Sequence, residues 1–449
     1  MGHETLQSFR SGLYGCLTRW GDTLFELCDA QLCTPGPIHS APALSLEPEF
    51  RRSHGSLYKA LADGDIDIDR LRSLLIAHRP DGWPLVFAVD ASTWDRCDAE
   101  CSPERGFYYS ASKHSAGQPI VAGWSYQWIT QLNWAPDSWT APVDVGRIAP
   151  TANATRTTID QLRRLVDLLP DDADTPLFVF DAGYDPIAIG WELRDTRAQT
   201  LTRIREDRVF YAPPPPRPNR PLSTGGRPPR HGHRMKCSQP DTWLEPTATH
   251  TATETRYGTV TVTAWSNLHP RLSHPSSHWH DHPGPPPIVE GTVIRVEVEH
   301  LPKPTARTNK TLWLWHSGPH PPDLDVAWRA YLRRFDIEHT FRFAKNTLGW
   351  TTPSVATPDQ ADRWTWLTIA AYTQLRLART HIDDLRLPWE RPRPAEQLTP
   401  TRARRGFRRL RAHLGTPANP PKPSRAGPGR PKGTKTGPRQ RHPAIKKAA

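Results

Sequence analysis

No apolar run in the 449-residue sequence approaches the roughly 18 residues that would cross a bilayer, so no membrane-spanning helix is expected. The six cysteines, at positions 16, 28, 33, 97, 101 and 237, fall into no paired metal-binding spacing. Cys97-x-x-x-Cys101 has no second pair to complete it. With no secretory signal at the start either, free thiols in a reducing compartment are expected, which points to the cytoplasm. Acidic residues are missing from one place in particular. Residues 401–449 hold 15 Lys or Arg and no Asp or Glu, and taking these 15 from the overall +12 leaves −3 for the first 400 residues. The basicity therefore belongs to the C-terminal end, which attracts a polyanion without specifying which. Lysine is scarce beside arginine; that suits phosphate recognition by a planar fork, and is also what a GC-rich genome writes.

Proline is abundant instead: 49 residues, about 11% against roughly 5% in ordinary proteins, so long irregular stretches are expected. At 36% apolar residues with 18 Trp, the chain still has the material for a sizeable core. Residues 1–80 read as helices, from apolar spacing in LQSFRSGLYGCLTRWGDTLFELCDAQLC and SLYKALADGDIDIDRLRSLLIAH. Two roles stay open for them: a small binding domain of their own, or a buttress packed on the core; no helix-turn-helix pattern nominates a recognition helix. Residues 120–132 read as a strand, and 155–169 as an amphipathic helix with Ile159, Leu162, Leu165, Val166 and Leu169 on one face. A Pro/Arg/Gly stretch at 213–233 is expected to be extended or disordered. RYGTVTVTAWS, TVIRVEVEHL and KTLWLWHSG then alternate like antiparallel strands. His274, His278, His280 and His282 sit in a Ser/Pro/Gly loop without a matching ligand frame and are read as solvated. Residues 360–382 read as a further helix packing on the core, 386–400 as a Pro-rich linker, 402–414 as a basic helix, and 428–447 as disordered.

Three segments carry candidate chemistry. PLVFAVDAST (84–93) and PLFVFDAGY (176–184) are short apolar runs that each end in an aspartate, Asp90 and Asp181. Continuous apolar runs suit strands buried on both faces, and an aspartate closing such a strand is costly unless something neutralises it. Residues 323–350, DLDVAWRAYLRRFDIEHTFRFAKNTLGW, read as one helix started by Asp323 or Asp325. On that helix Tyr331, Arg334, Glu338, Arg342 and Lys345 fall within an arc of about 80°. Apolar residues flank the arc, with Leu324, Trp328 and Phe335 on one side and Ile337, Phe341, Ala344 and Leu348 on the other. That places it in a cleft wall or in a buried ion-pair network. Asp90, Asp181 and Glu338 supply the hard oxygen donors that a pair of Mg²⁺ ions needs. Asp95, Asp98, Glu100 and Asp185 are competing carboxylates, read as solvated.

The order Asp–Asp–Glu on strand, strand and helix resembles the DDE transposases. Tyr331-x-x-Arg334-x-x-x-Glu338-x-x-x-x-x-x-Lys345 is similar to the Y-R-E-K signature of the insertion sequence 4 superfamily, and within it the chain looks most like the insertion sequence 701 type. The resemblance covers roughly residues 80–350. It implies an α/β fold with an RNase H-like catalytic core interrupted by an all-β insertion, preceded by an N-terminal helical domain and followed by a basic disordered tail. The corresponding boundaries are 1–80, 81–205, 206–318, 319–385 and 386–449.

The implied activity is metal-dependent cutting of the ends of a bacterial insertion sequence and joining of their 3′-hydroxyls to target DNA. Asp90, Asp181 and Glu338 would be both catalytic residues and ligands of two Mg²⁺ ions, with Mn²⁺ as a substitute. Tyr331, Arg334, Arg342 and Lys345 would contact DNA; for Lys113 and His114 a place near DNA competes with the reading of a plain exposed loop, which is preferred. Trp313 or Trp315 would be a wedge stacking on a flipped base, the competing reading being sheet core. Arg430 and Lys432, in a Gly-Arg-Pro-Lys sequence resembling an AT-hook core, would contact DNA from the tail. The expected partners are element and target DNA and a second copy of the chain on that DNA, with no membrane; the expected location is the nucleoid. Two rivals stay open: an inactive or domesticated DNA-binding descendant, and a purely hydrolytic nuclease on the same fold.

Overall fold

The computed structural model describes residues 3–110, 117–216, 229–273, 278–301, 309–423, 431–433 and 437–446. The N-terminal segment carries α1 (Glu4–Cys16), α2 (Gly21–Cys33), α3 (Ala41–Leu44), α4 (His54–Asp63) and α5 (Ile68–Ala77). Four strands follow: β1 (Val86–Asp95), β2 (Gly106–Tyr109), β3 (Ile120–Gln131) and β4 (Ala141–Ile148). Next come α6 (Ala154–Leu168), β5 (Leu177–Phe180), α7 (Pro186–Glu192), β6 (Gln199–Ile204), β7 (Val209–Tyr211) and β8 (Arg234–Lys236). Then β9 (Ala248–Glu254), β10 (Gly258–Leu268), β11 (Gly291–Val298) and β12 (Thr311–Ser317) lead to α8 (Leu324–Arg333), α9 (Asp336–Asn346), α10 (Pro358–Ala378) and α11 (Pro400–Leu414). The chain divides into two compact units, one of residues 1–84, 90–157 and 336–449, the other of residues 85–89 and 158–335.

The first unit is built around α2, every residue of which from Thr23 to Cys33 is buried. A helix covered on all sides must pair its polar groups, and this one does. Glu26 meets Arg51 and Arg52, each at 2.6 Å, and Gln31 donates to Leu348 O (2.8 Å) and Thr368 Oγ1 (3.0 Å). Asp29, with no exposed surface, is held by Arg10 and by Arg411, each at 2.6 Å. α10 starts with a Thr357–Gln360 capping box and packs Trp364, Trp366 and Tyr372 inward. β3 pairs antiparallel with β2 and β4, and a Cβ on Gly123 would lie 2.1 Å from Trp94 O, so glycine lets β3 pass close to the backbone of β1.

The basic helix expected over 402–414 is present at the C-terminal end. Residues 400–414 form α11, which buries Phe407 and Leu410. Its arginines are engaged: Arg404 with Gln31 O (3.0 Å), Arg405 with Glu390 (2.6 Å), Arg408 with Glu49 (3.2 Å) and Arg411 with Asp29. A Cβ at Gly406 would fall 2.3 Å from Ile382 Cγ2, so the helix sits tight against the preceding segment. Two of these arginines, Arg408 and Arg411, are therefore spent on acids of the N-terminal segment, and Arg405 on Glu390 of the preceding segment. Composition showed where the positive charge lies in the chain but not which acids it meets.

The second unit holds a mixed sheet in the order β1–β5–β6–β12–β11–β10–β9, to which β1 contributes its first half. Val86–Val89 and Leu177–Phe180 run parallel in register, and β5 and β6 are also parallel. The remaining pairings are antiparallel, with Trp315 opposite Thr202 and Leu314 opposite Arg203 where β12 joins β6. The strands read as an insertion thus continue the core sheet. α6 buries Ile159, Leu162, Leu165 and Val166, the face that the spacing predicts. β5 is buried throughout and ends just before Asp181. β1 does not end at Asp90: it runs five residues further, to Asp95.

The single helix expected over 323–350 is two helices. α8 stops at Arg333, Arg334 and Phe335 form a turn, and α9 starts at Asp336. The Arg334 amide is shared between Ala330 O (2.9 Å) and Tyr331 O (3.3 Å), a tightened last turn. The turn resets the helical phase. Phe335, placed on the buried side by a continuous helix, is 52% exposed, and Arg342 is exposed as well.

Two predictions follow from these cores. Asp29→Ala leaves the buried Arg10 and the partly buried Arg411 without their shared carboxylate and should lower stability by about 3–5 kcal/mol in urea titrations. In the second unit, burial lowers the pKa of His316 and of His269 to about 4. An unfolded histidine titrates near pH 6.5, so between pH 6.5 and 4 the unfolded chain binds more protons than the folded one. Stability should fall as pH drops through that window, and His316→Gln should make the fall shallower.

Candidate active site

The expected site residues distribute over both units. In the second, Asp181 follows the last residue of β5, where the chain leaves the sheet half-buried. Two side chains from the end of α8 bracket it. Tyr331 Oη donates to Asp181 Oδ1 at 3.4 Å, and an Arg334 guanidinium nitrogen lies 3.7 Å from Oδ2. Tyr331 and Arg334 are themselves buried, with the guanidinium 5.8 Å from the Tyr331 ring centre. Burial raises the Tyr331 pKa, and the Asp181 charge raises it further; Arg334 and Arg203 oppose both. The phenol is therefore a proton donor at neutral pH, held toward the carboxylate.

Arg203 is a residue that sequence reasoning missed. It hydrogen-bonds Tyr331 from β6, the parallel neighbour of β5. Its only sequence signal was the alternation of TLTRIR, which puts it on the exposed side of a strand without saying what that side faces.

In the first unit, Asp90 sits within β1, and its Oδ1 accepts the Ala91 amide at 2.8 Å. Three residues on, Thr93 O accepts a hydrogen bond from Lys345 Nζ at 3.0 Å, and the ammonium is 5.5 Å from the Trp350 ring. Glu338 lies half-buried in the first turn of α9, where a carboxylate complements the positive end of the helix dipole. The adjoining face of α9 buries Ile337, Phe341 and Ala344, with Phe341 against Trp128 at 5.6 Å. The four signature residues thus divide their structural roles. Tyr331 and Arg334 fix the carboxylate after β5, Lys345 ties α9 to the strand that bears Asp90, and Glu338 stands at the head of α9.

Other expected residues have different surroundings. Trp315 is fully buried and stacks on Phe210 at 5.1 Å, and Trp313 is 5% exposed and stacks on Trp265 at 5.8 Å. Rings covered in this way offer no platform to a flipped base; the two tryptophans are sheet core. Of the rival carboxylates, Asp185 caps α7 through the Ile187 and Ala188 amides, and Asp98 pairs with Arg96 at 3.1 Å. Lys432 is exposed. Arg430, Lys113, His114 and His274 lie outside the described residues. His278 pairs with Glu192 at 3.2 Å and His280 with Asp281 at 2.9 Å. Among the described residues no three His, Cys, Asp or Glu side chains form a group able to hold a metal ion, and no helix is long and apolar enough to cross a membrane. All six cysteines are free.

A family profile described as DDE superfamily endonuclease matches residues 12–271. The chain belongs to this DDE endonuclease family. The match contains Asp90 and Asp181 and ends before Glu338. A comparison with functionally described proteins found no match.

For this DDE endonuclease chain, Asp181→Asn should lower the ionisation pH of Tyr331, since it removes a charge that opposes phenolate formation. Tyrosine-selective NMR titration, with Tyr331→Phe to assign the signal, reads the shift. An unchanged titration would mean that Asp181 and Tyr331 are not in contact in solution.

Proposed function

We propose that this endonuclease is a DNA transposase of the insertion sequence 4 type, most like the insertion sequence 701 group. It would cut the ends of its element and join their 3′-hydroxyls to target DNA. The observation that carries the reading is the bracketing of Asp181 by Tyr331 and Arg334, two residues of the Y-R-E-K signature that sequence places 150 positions or more away. Family membership supports the coarser part, a DDE endonuclease acting on DNA.

The donor chemistry of Asp90, Asp181 and Glu338 fits hard divalent cations such as Mg²⁺ or Mn²⁺, because all three offer only carboxylate oxygen. Asp181 is suited to this: its side chain is 44% exposed while both its oxygens are oriented by neighbours. When bound, two such ions supply charge neutralisation at the scissile phosphate and a nucleophile at neutral pH. The chain's own residues do the rest. Arg334 and Tyr331 hold the Asp181 carboxylate in one orientation, Lys345 holds the strand beyond Asp90, and the exposed Arg342 is available to a phosphate. The reaction is in-line displacement at phosphorus. A water or 3′-hydroxyl oxygen forms the new P–O bond as the old one breaks, with no covalent enzyme intermediate, so positioning is what the protein must provide. Two element ends call for two active sites, hence a homodimer on DNA.

A hydrolytic nuclease is the second reading, favoured by the family description, which names endonuclease activity alone. One experiment separates the two. A plasmid bearing the gene with its native flanks is incubated with protein and Mg²⁺, and new 3′ ends are mapped. Breaks at both flanks followed by joining to a second plasmid support the transposase; scattered breaks without joining support the nuclease. Glu338→Gln should lower cleavage by roughly 10²-fold or more while leaving DNA binding near wild type. It should also weaken Mn²⁺ binding followed by electron paramagnetic resonance without DNA. A variant that still cleaves removes Glu338 from the site.

A further inference from the structure

The last described stretch of the chain, residues 437–446, runs along the outer edge of β2. β2 is the terminal strand of its sheet, paired with β3 on one side. On the other side the Ile445 amide donates to Arg105 O at 2.7 Å, and Ile445 forms a parallel bridge with Gly106. The His442 amide donates to Glu100 O at 2.8 Å, and the Arg105 guanidinium donates to His442 O at 2.7 Å. An open strand edge invites pairing, and here the chain's own C-terminal arm supplies it.

This docking uses main-chain groups and leaves the arm's cations outside. Arg439, Arg441 and Lys446 are exposed. Arg441 lies 3.4 Å from Glu100, with side chains 81% and 63% exposed, a pair too solvated to hold it firmly. Neighbouring carboxylates are occupied, Glu104 by Arg147 at 2.6 Å and Asp98 by Arg96. The strand that the arm borders also presents Phe107 and Tyr109, 43% and 74% exposed, and Ile120, the partner of Tyr109 across the hairpin, is 41% exposed. Exposed cations on an arm joined to a strand with uncovered aromatic rings are what a DNA strand with unpaired bases needs, phosphates taking the charges and bases the rings.

We propose that the docked C-terminal arm and the β2 edge together form a binding strip for single-stranded DNA. The proposal rests on the DNA reading above and adds a location and a mode of assembly. Its test separates the arm's docking from its charge. His442→Pro with Ile445→Pro removes both main-chain donors but no Lys or Arg. Arg439→Gln with Arg441→Gln and Lys446→Gln removes the charge and keeps the donors. Docking is read by trypsin cleavage after Arg439 in the proline variant, and by amide exchange at His442 and Ile445 in the wild type. Binding is read with a labelled single-stranded oligonucleotide across a salt series. The proline variant should be cut faster and should lose affinity on the order of tenfold, as should the glutamine variant with a shallower salt slope. Tyr109→Ala should weaken single-stranded but not duplex binding. A proline variant that undocks yet binds like the wild type would overturn the strip and make the arm a freely moving polycation. Fast exchange at Ile445 in the wild type would overturn the docking itself. Failure of the wild-type chain to bind any DNA would overturn the DNA reading and this strip with it, and is told apart because no variant is needed to see it.

Discussion

Parallel pairing of Val86–Val89 with Leu177–Phe180 is the constraint on which the candidate chemistry depends. Both runs are wholly buried, so neither tolerates an unsatisfied polar side chain, and the next residue in each is an aspartate. The two aspartates meet the problem differently. β5 ends, and Asp181 emerges half-buried between a buried phenol and a buried guanidinium. β1 continues, and Asp90 remains in an extended strand that Lys345 grips three residues later. A carboxylate oriented by its neighbours but still reachable is the arrangement that metal-assisted phosphoryl transfer requires.

A second economy runs through the first unit, where arginine serves structure at least as much as it serves phosphate. Asp29, Glu26 and Glu49 are acids of the N-terminal segment, and each meets arginine, two of them from α11. Guanidinium groups suit this because their forked donors satisfy a buried carboxylate and a carbonyl together, as Arg10 does with Asp29 and Gly415 O. The consequence for function is that part of the positive charge that composition implies is already paired within the first unit.

Much of the candidate site was legible in sequence because it rests on local patterns. Apolar runs closed by aspartate marked β1 and β5, and Ile159, Leu162, Leu165 and Val166 marked the buried face of α6. Fixed spacing singled out Tyr331, Arg334, Glu338 and Lys345. The helix break at Arg334–Phe335 was not legible, since both residues are acceptable helix formers and no Gly or Pro marks the turn. The burial of Trp313 and Trp315 was underdetermined too: alternation along β12 puts both on one face, but does not say that this face is covered.

The sequence by itself determined that this chain has buried strands ending in acid, an amphipathic crossover helix, and a signature of four spaced polar residues, because these depend on periods of two and 3.6 residues along the chain. It also determined membership of the DDE endonuclease family. Only the tertiary structure decided which signature residue supports which acid, which arginines are already paired, and that residues 437–446 border the edge of β2. Those outcomes depend on contacts between segments hundreds of residues apart, such as Arg411 with Asp29 and Ile445 with Arg105, for which no local pattern carries information.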